Sequence, residues 1–300
     1  MRSRRWLWAA LLLIAGLFVG YFKVPALGYY WLSTSLNAAQ RQGSALWLPD
    51  YRVAIEARPI QGLTRNASGL TFNTETGTLF AVINRPAQVA ELTIDGRLLR
   101  VIPIDGARDP EDIAHVQGDA FIIADEHSHG LYWVRIRPDT TRVSVAGRPS
   151  LRLSIESVRN SGFEGVSWDR AQNRLFVVNE KLPLRVLVIS GLEAFKASTG
   201  FNIDIAEWKS SGAASLFMSD LSAVTLHEPT GHLLLLSDES ALVVEYAADG
   251  QPISMMPLWR GLHGLRRKVP QPEGLAVGPD GAIYVLSEPN LFYRFERPPR

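Results

Sequence analysis

Three glutamates each precede a small or acidic residue and then a branched apolar one, in Glu111-Asp112-Ile113, Glu164-Gly165-Val166 and Glu273-Gly274-Leu275. Ser68-Gly69-Leu70 and Ser222-Ala223-Val224 repeat the pattern with serine in the leading place. After each comes a turn, an apolar stretch and then Asn84, Asp125, Asn179, Asp238 or Ser287, followed directly by Arg85, Glu126, Glu180, Glu239 or Glu288. The chain has no cysteine, so every candidate metal donor here is an oxygen. Such a set suits calcium, which takes about 6–8 oxygen ligands, or magnesium with several waters. Glu111, Glu164 and Glu273, with Asp125, Asn179 and Asp238, are the candidate metal ligands. Asn84, Arg85, Glu126, Glu180, Glu239 and Glu288 are candidates for binding a further ligand. If the three repeat glutamates converge to about 7 Å, each like-charge pair costs about 2 kcal/mol at an effective dielectric near 20. Such a group either holds protons or binds a cation. The plainer reading of the strand-end residues is that Asp and Asn cap turns while the following glutamates pair with arginines.

These residues converge only if the repeats are arranged around an axis. The anchors Leu70, Ile113, Val166, Val224 and Leu275 are 43, 53, 58 and 51 residues apart, the period of a four-stranded propeller blade. In a propeller the innermost strands line the central channel, so one repeat position forms a ring. Turn signals at Asp95-Gly96, Asp249-Gly250 and Asp280-Gly281 support short strands from Tyr51 onward. The last repeat reads as strands at 274–277, 282–286 and 291–296 and then ends one strand short. An open edge is avoided in soluble proteins, so the alternating stretch 51–56 is expected to close the ring. The expected fold is therefore an all-β propeller of residues 51–300. Five blades are favoured, and a sixth requires the 58-residue interval to hold two. The stretch from Gly191 to Lys209 has the main helical pattern and reads as an insertion between the third and fourth blades.

The N-terminus is different in character. Arg2, Arg4 and Arg5 mark a basic segment, residues 1–5, before an uncharged run from Trp6 to Phe22. As a helix those 17 residues span roughly 26 Å, slightly short of a bilayer core of about 30 Å. Trp6, Trp8, Tyr21 and Phe22 suit the two interfaces, and Lys23 can snorkel outward. No clear Ala-x-Ala site follows, so residues 6–22 are expected to be an uncleaved signal anchor. The positive-inside rule then exports the remainder. Residues 23–50 read as a juxtamembrane helix or linker whose aromatics pack on the membrane surface or on the domain.

Composition excludes other classes. The 31 basic and 30 acidic residues are interspersed, leaving no footprint for nucleic acid; Arg266-Arg267-Lys268 reads as a solvated loop. His127 and His129 could share a face, but no third zinc ligand stands beside them. Ser167, Ser222 and Ser237 lack a nucleophile elbow, and phosphate or dinucleotide loops are absent. The acids of Asp109-Pro110-Glu111-Asp112 and Asp125-Glu126-His127 make the second repeat the most polar, a place for a metal to lie off axis.

The repeat wording, with the N-terminal anchor, resembles the bacterial SdiA-regulated (YjiK-like) family. The residues that carry it are Asn66-Ala67-Ser68-Gly69-Leu70-Thr71-Phe72, Asp109-Pro110-Glu111-Asp112-Ile113, Gly162-Phe163-Glu164-Gly165-Val166, Asp220-Leu221-Ser222-Ala223-Val224 and Pro270-Gln271-Pro272-Glu273-Gly274-Leu275. The resemblance runs from about residue 50 to the end. It implies a β-propeller in the bacterial periplasm, with some members similar to calcium-linked propellers and to propeller phytases. The matching acids are Glu111, Glu164 and Glu273; Ser68 and Ser222 depart from an all-acid ring. A phytase would also need a basic phosphate pocket, and only Arg85 stands at the repeat positions. The reading expected is an inner-membrane, envelope-facing propeller that binds calcium or another hard cation. Its role would be sensing or interaction with an envelope protein or a small-molecule ligand. The alternatives are a calcium-dependent phosphoesterase and a scaffold without metal.

Overall fold

In a computed structural model the described residues are 2–21, 24–36, 38–153, 162–179, 184–192, 202–208 and 217–298. Glu180, Phe22 and Lys23, and parts of the 191–209 stretch, lie outside them. Among the described residues five blades surround one axis, antiparallel except where Val143–Ser144 adds to the first blade as a short parallel fifth strand beside Leu98–Asp105. Their inner strands are Ala67–Asn73, Pro110–Gln117, Phe163–Asp169, Ala223–His227 and Pro272–Val277. Each opens with the repeat motif and is paired outward, hairpin by hairpin, with the rest of its blade. The second strands, such as Thr78–Ile83 and His232–Ser237, are almost wholly buried. That is why they read as continuous apolar runs and not as alternating ones.

Ring closure follows the expectation. Arg52–Pro59 pairs antiparallel with Leu291–Glu296 and becomes the outer strand of the fifth blade. One stretch corrects the sequence reading: within 191–209, Asp204–Trp208 is no helical insertion but the outer strand of the third blade, paired with Arg185–Ser190. Its local pattern is overridden by the open edge that it covers. The basic loop packs back on the domain, where Arg266 Nε meets Glu56 Oε2 of the closing strand at 2.7 Å.

Among the described residues, α1 (Arg2–Tyr21), α2 (Val24–Leu36), a single helical turn at Ala38–Arg41 and a 3-10 turn at Leu48–Asp50 precede the ring. Among the described residues no helix is long and apolar enough to cross a membrane. The apolar side chains of α1 are nonetheless solvent-facing, with Trp6 at 76% and Leu12 at 72% exposure. α2 docks on the fourth blade through Tyr30, whose ring stacks on Phe217 at 4.7 Å, and through buried Thr34.

The connection from α2 to the ring is pinned by one buried carboxylate. Glu245, on the third strand of blade four, accepts the backbone N–H groups of Leu46 at 2.9 Å and Trp47 at 3.1 Å. It also accepts the hydroxyl of Ser254 at 2.6 Å and is 2.8 Å from His232 Nδ1. Burial pushes its pKa up, but the bonds from His232, Ser254 and Leu46 outweigh this and hold it below the ordinary range. Glu245→Ala leaves those donors buried and unmet, so a loss of about 3–5 kcal/mol is expected in urea unfolding, with Glu245→Gln losing less.

Candidate functional site

The repeat motif is a packing device before it is a chemical one. At Gly69, Gly165 and Gly274 an added Cβ would strike the neighbouring inner strand. It would lie 2.6 Å from Val178 Cγ2 and 2.8 Å from the Val224 amide at Gly165, and 2.7 Å from the Ser68 carbonyl at Gly274. A Cβ at Gly69 would collide with the Asp112 side chain. Close approach of five strands therefore requires small residues at this position, and Ala223 fits for the same reason. Asp112 is the exception. Its carboxylate, 2% exposed, accepts the amides of Val166 at 2.6 Å and Ile113 at 2.8 Å and a backbone bond from Leu70. One side chain thus ties the first three blades together. Burial raises its pKa well above the usual range, against the pull of those amides.

The preceding position forms the expected ring. Ser68, Glu111, Glu164, Ser222 and Glu273 all line one cavity of about 120 Å³ at the axial mouth, with Asp220, Asp238 and Glu288. The serines have a structural duty. Ser68 Oγ donates to the Glu111 carbonyl at 2.8 Å, and Ser222 Oγ to the Pro272 carbonyl at 2.8 Å, so each staples its blade to the next. Ser68 Oγ also lies 3.1 Å from Glu111 Oε2.

The electrostatics are lopsided. Burial, then Asp238, Glu288, Glu111 and Asp220, push the Glu273 carboxyl up to about 9. Glu111 is pushed up to about 7, mainly by burial and with Asp109 and Glu126 adding to it, despite hydrogen bonds from Asn84 and Ser68. Asp220 and Glu288 are raised as well, burial being the first cause in both. Six carboxylates line this small cavity, and no basic side chain lines it among the described residues.

Off axis, at the second blade, Asp109, Glu111 and Glu126 each place a ligand oxygen within 4.8 Å of the others. Asn84 Nδ2 donates to Glu111 Oε1 at 3.3 Å, which turns Asn84 Oδ1 toward no donor. Asp109 Oδ2 takes the Arg85 guanidinium at 2.8 Å. Asn84 Oδ1 and Asp109 Oδ1 are both buried, and neither meets a hydrogen-bond partner among the described residues. A buried unmet acceptor costs roughly 1–3 kcal/mol. Two of them, one on Asp109 itself, beside the Glu111 and Glu126 carboxylates suit a cation.

The strand-end residues divide. Asp238 and Glu288 reach the cavity, and Glu126 and Asn84 belong to the second-blade group. Asp125 faces the backbone instead. It is 1% exposed and accepts the amides of Arg108 and Asp109 at 2.9 and 2.7 Å and the Ser128 hydroxyl at 2.6 Å, so its oxygens are already occupied by a turn. Asn179 is buried at the end of its strand, paired opposite Phe163, and does not line the cavity; nor does exposed Glu239. His127 lies 3.0 Å from Arg108 Nη1 in an exposed loop. Sequence reasoning named Asp109 only among the acids of the second repeat, where a metal could lie off axis, and passed over Asp220 as a site residue. Their signal was a shared offset, since Asp109 stands two before Glu111 and Asp220 two before Ser222.

The fold recurs in solved structures. The chain is similar to the glutaminyl cyclase of Myxococcus xanthus, at 14% identity and TM-score 0.54 over 82% of this chain and 95% of that one. It is also similar to a luciferin-regenerating enzyme, at 12% identity and TM-score 0.50 over 82% and 94% of the two chains. At such identity these are likenesses of architecture. The SdiA-regulated family model matches residues 43–296, which takes in the closing strand and all five motif repeats. The chain is therefore a member of the SdiA-regulated family.

Proposed function

We propose that this chain is an envelope-facing propeller, tethered to the inner membrane by its N-terminal helix, which binds a hard divalent cation, calcium by preference, off axis at its second blade beside the acidic mouth. Its role on this reading is as a binding or sensing module and not as a hydrolase. The observation that carries the cation site is the pair of buried, unmet oxygens, Asn84 Oδ1 and Asp109 Oδ1, beside the Glu111 and Glu126 carboxylates. Asn84, Asp109, Glu111 and Glu126 would hold the ion. Its charge would let Glu111 and Glu273 ionise, which burial and their acidic neighbours otherwise oppose. A mouth of about 120 Å³ walled by carboxylates disfavours a phosphate ester, whose own charge would be repelled. The tether is supported by the basic start of the chain and by the exposed apolar side chains of α1.

Calcium added to the purified full chain is expected to raise its unfolding temperature. The stabilisation is about 2.7 kcal/mol at a hundredfold excess over Kd, and it is reduced in Glu111→Gln and Asp109→Asn. An unmoved transition in the wild type would leave the mouth a structural feature only. Phosphate release from phytate in the same preparation would instead favour the phosphoesterase.

The pH dependence follows from raised carboxyls. Glu273 takes up its proton at about 9 in the fold, and Glu111 at about 7, against an ordinary 4.5. Between those values the folded state holds more protons than the unfolded chain, so stability falls as pH rises. The two groups' contribution is fully present below about 4.5 and is lost towards 7 for Glu111 and 9 for Glu273. Melting curves without divalent cations should show this decline, and calcium should flatten it. For the tether, the chain should stay in the membrane pellet after alkaline carbonate extraction, and release into the supernatant would refute anchoring.

A further inference from the structure

The inner strands start at the acidic mouth and end at the opposite face, where their turns surround a second cavity of about 260 Å³. Its lining mixes apolar and polar groups, with one carboxylate, Glu228, in place of six. Phe72, Trp168, Leu226 and Val277 supply apolar walls from four of the blades, and the cation among the lining side chains is Arg170.

Arg170 is poorly satisfied for a guanidinium. Its Nη1 lies 3.5 Å from Thr74 Oγ1 on the first blade, and its Nη2 lies 3.3 Å from His115 Nδ1 on the second. The Nε is buried without a hydrogen-bond partner, and the Glu228 carboxylate stands 3.9 Å away, beyond hydrogen-bond reach. His115 offers no charge. Its Nε2 lies 3.0 Å from the Gly118 carbonyl, so that nitrogen carries the hydrogen and Nδ1 accepts from Arg170. Burial also holds His115 below its ordinary pKa. Two hydroxyls stand on the same wall. Thr71 Oγ1 accepts the His115 amide at 3.1 Å, and Ser167 Oγ accepts the Leu226 amide at 2.9 Å. Each is the acceptor in that bond, which leaves its O–H to meet an acceptor.

We propose that this cavity is a binding site for a small monocarboxylate with an aromatic or branched aliphatic body. The carboxylate is taken by Arg170, with Thr71 and Ser167 as supporting donors, and the body lies against Trp168 and Phe72. Arginine presents parallel N–H groups that match a carboxylate, and desolvated apolar walls with a few placed polar groups are what a small-ligand site requires. A dianion such as a phosphate fits less well. There is one guanidinium, His115 is neutral, and Glu228 and Glu75 lie close enough to oppose a second negative charge. This site is at the other face from the acidic mouth and stands whether or not that mouth binds calcium.

The test uses the full chain, labelled with nitrogen-15, and phenylacetate as the probe. Phenylacetate at millimolar concentration is expected to shift the Trp168 indole N–H resonance, assigned by its loss in Trp168→Phe, along a saturable curve. 2-Phenylethanol, which keeps the body and lacks the charge, should bind about tenfold more weakly or worse, one factor of ten being about 1.4 kcal/mol. Arg170→Met should abolish the difference between the two probes. An indole resonance that stays fixed in the wild type, or equal binding of acid and alcohol, overturns the proposal. Both readings come from the unsubstituted chain, so they decide the matter even if Arg170→Met does not fold.

Discussion

The constraint on which this structure depends is the closeness of five inner strands around one axis. Where they converge, at Gly165 and Gly274, even a lone Cβ would meet a neighbour's backbone. The one large group admitted, Asp112, is admitted because it replaces packing with hydrogen bonds to the amides of Val166 and Ile113 and a bond from Leu70. That exchange fixes the first three blades against one another, and Gly69 is small because the Asp112 side chain passes it. The same narrowness crowds the residues one position earlier, so carboxylates are brought together whether or not they attract.

From this crowding comes a division of labour within the ring. Ser68 and Ser222 bond to the next blade's backbone and hold the mouth together, while Glu111 and Glu273 turn into a small acidic space that opposes their ionisation. At the far end the hydroxyls of Thr71, Ser167 and Thr225 make the equivalent blade-to-blade bonds, and Arg170 faces a hollow walled in part by Phe72, Trp168, Leu226 and Val277, with Glu228 at its side. The two ends of the axis thus differ in chemistry. Neither end could be built without staples, since bundling like charges or burying an unmet guanidinium nitrogen costs stability that neighbouring bonds must offset.

Much of the fold was legible because its signals are local and repeated. The motif spacing counts blades, the missing last strand requires a partner, and the stretch before the first repeat supplies it. The third blade's outer strand was not legible, since Asp204–Trp208 carries no strand pattern of its own and is ordered by the edge beside it. Site residues show the same split. The convergence of Glu111, Glu164 and Glu273 followed from symmetry and the acids around Asp109 stood out in the second repeat, whereas Asp220 matters through an offset within the motif that gains meaning only when the turns are seen together. Asp125 illustrates the converse, since its place in the pattern resembles Asp238, yet its turn uses its oxygens on amides.

By itself, the sequence determined the architecture: five repeats with a small residue at the axial step, apolar second strands, and acids at one register position. A period is a one-dimensional property, and ring closure turns it into position around an axis. What only the tertiary structure decided is which polar atoms are left over. Asn84 stands in the chain only as one of five strand-end residues and Arg170 has no place in the repeat pattern; one ends with an unmet buried oxygen and the other with an unmet buried nitrogen. The reason is that hydrogen-bond satisfaction depends on distances between blades, here a few tenths of an ångström, and no spacing along the chain encodes them.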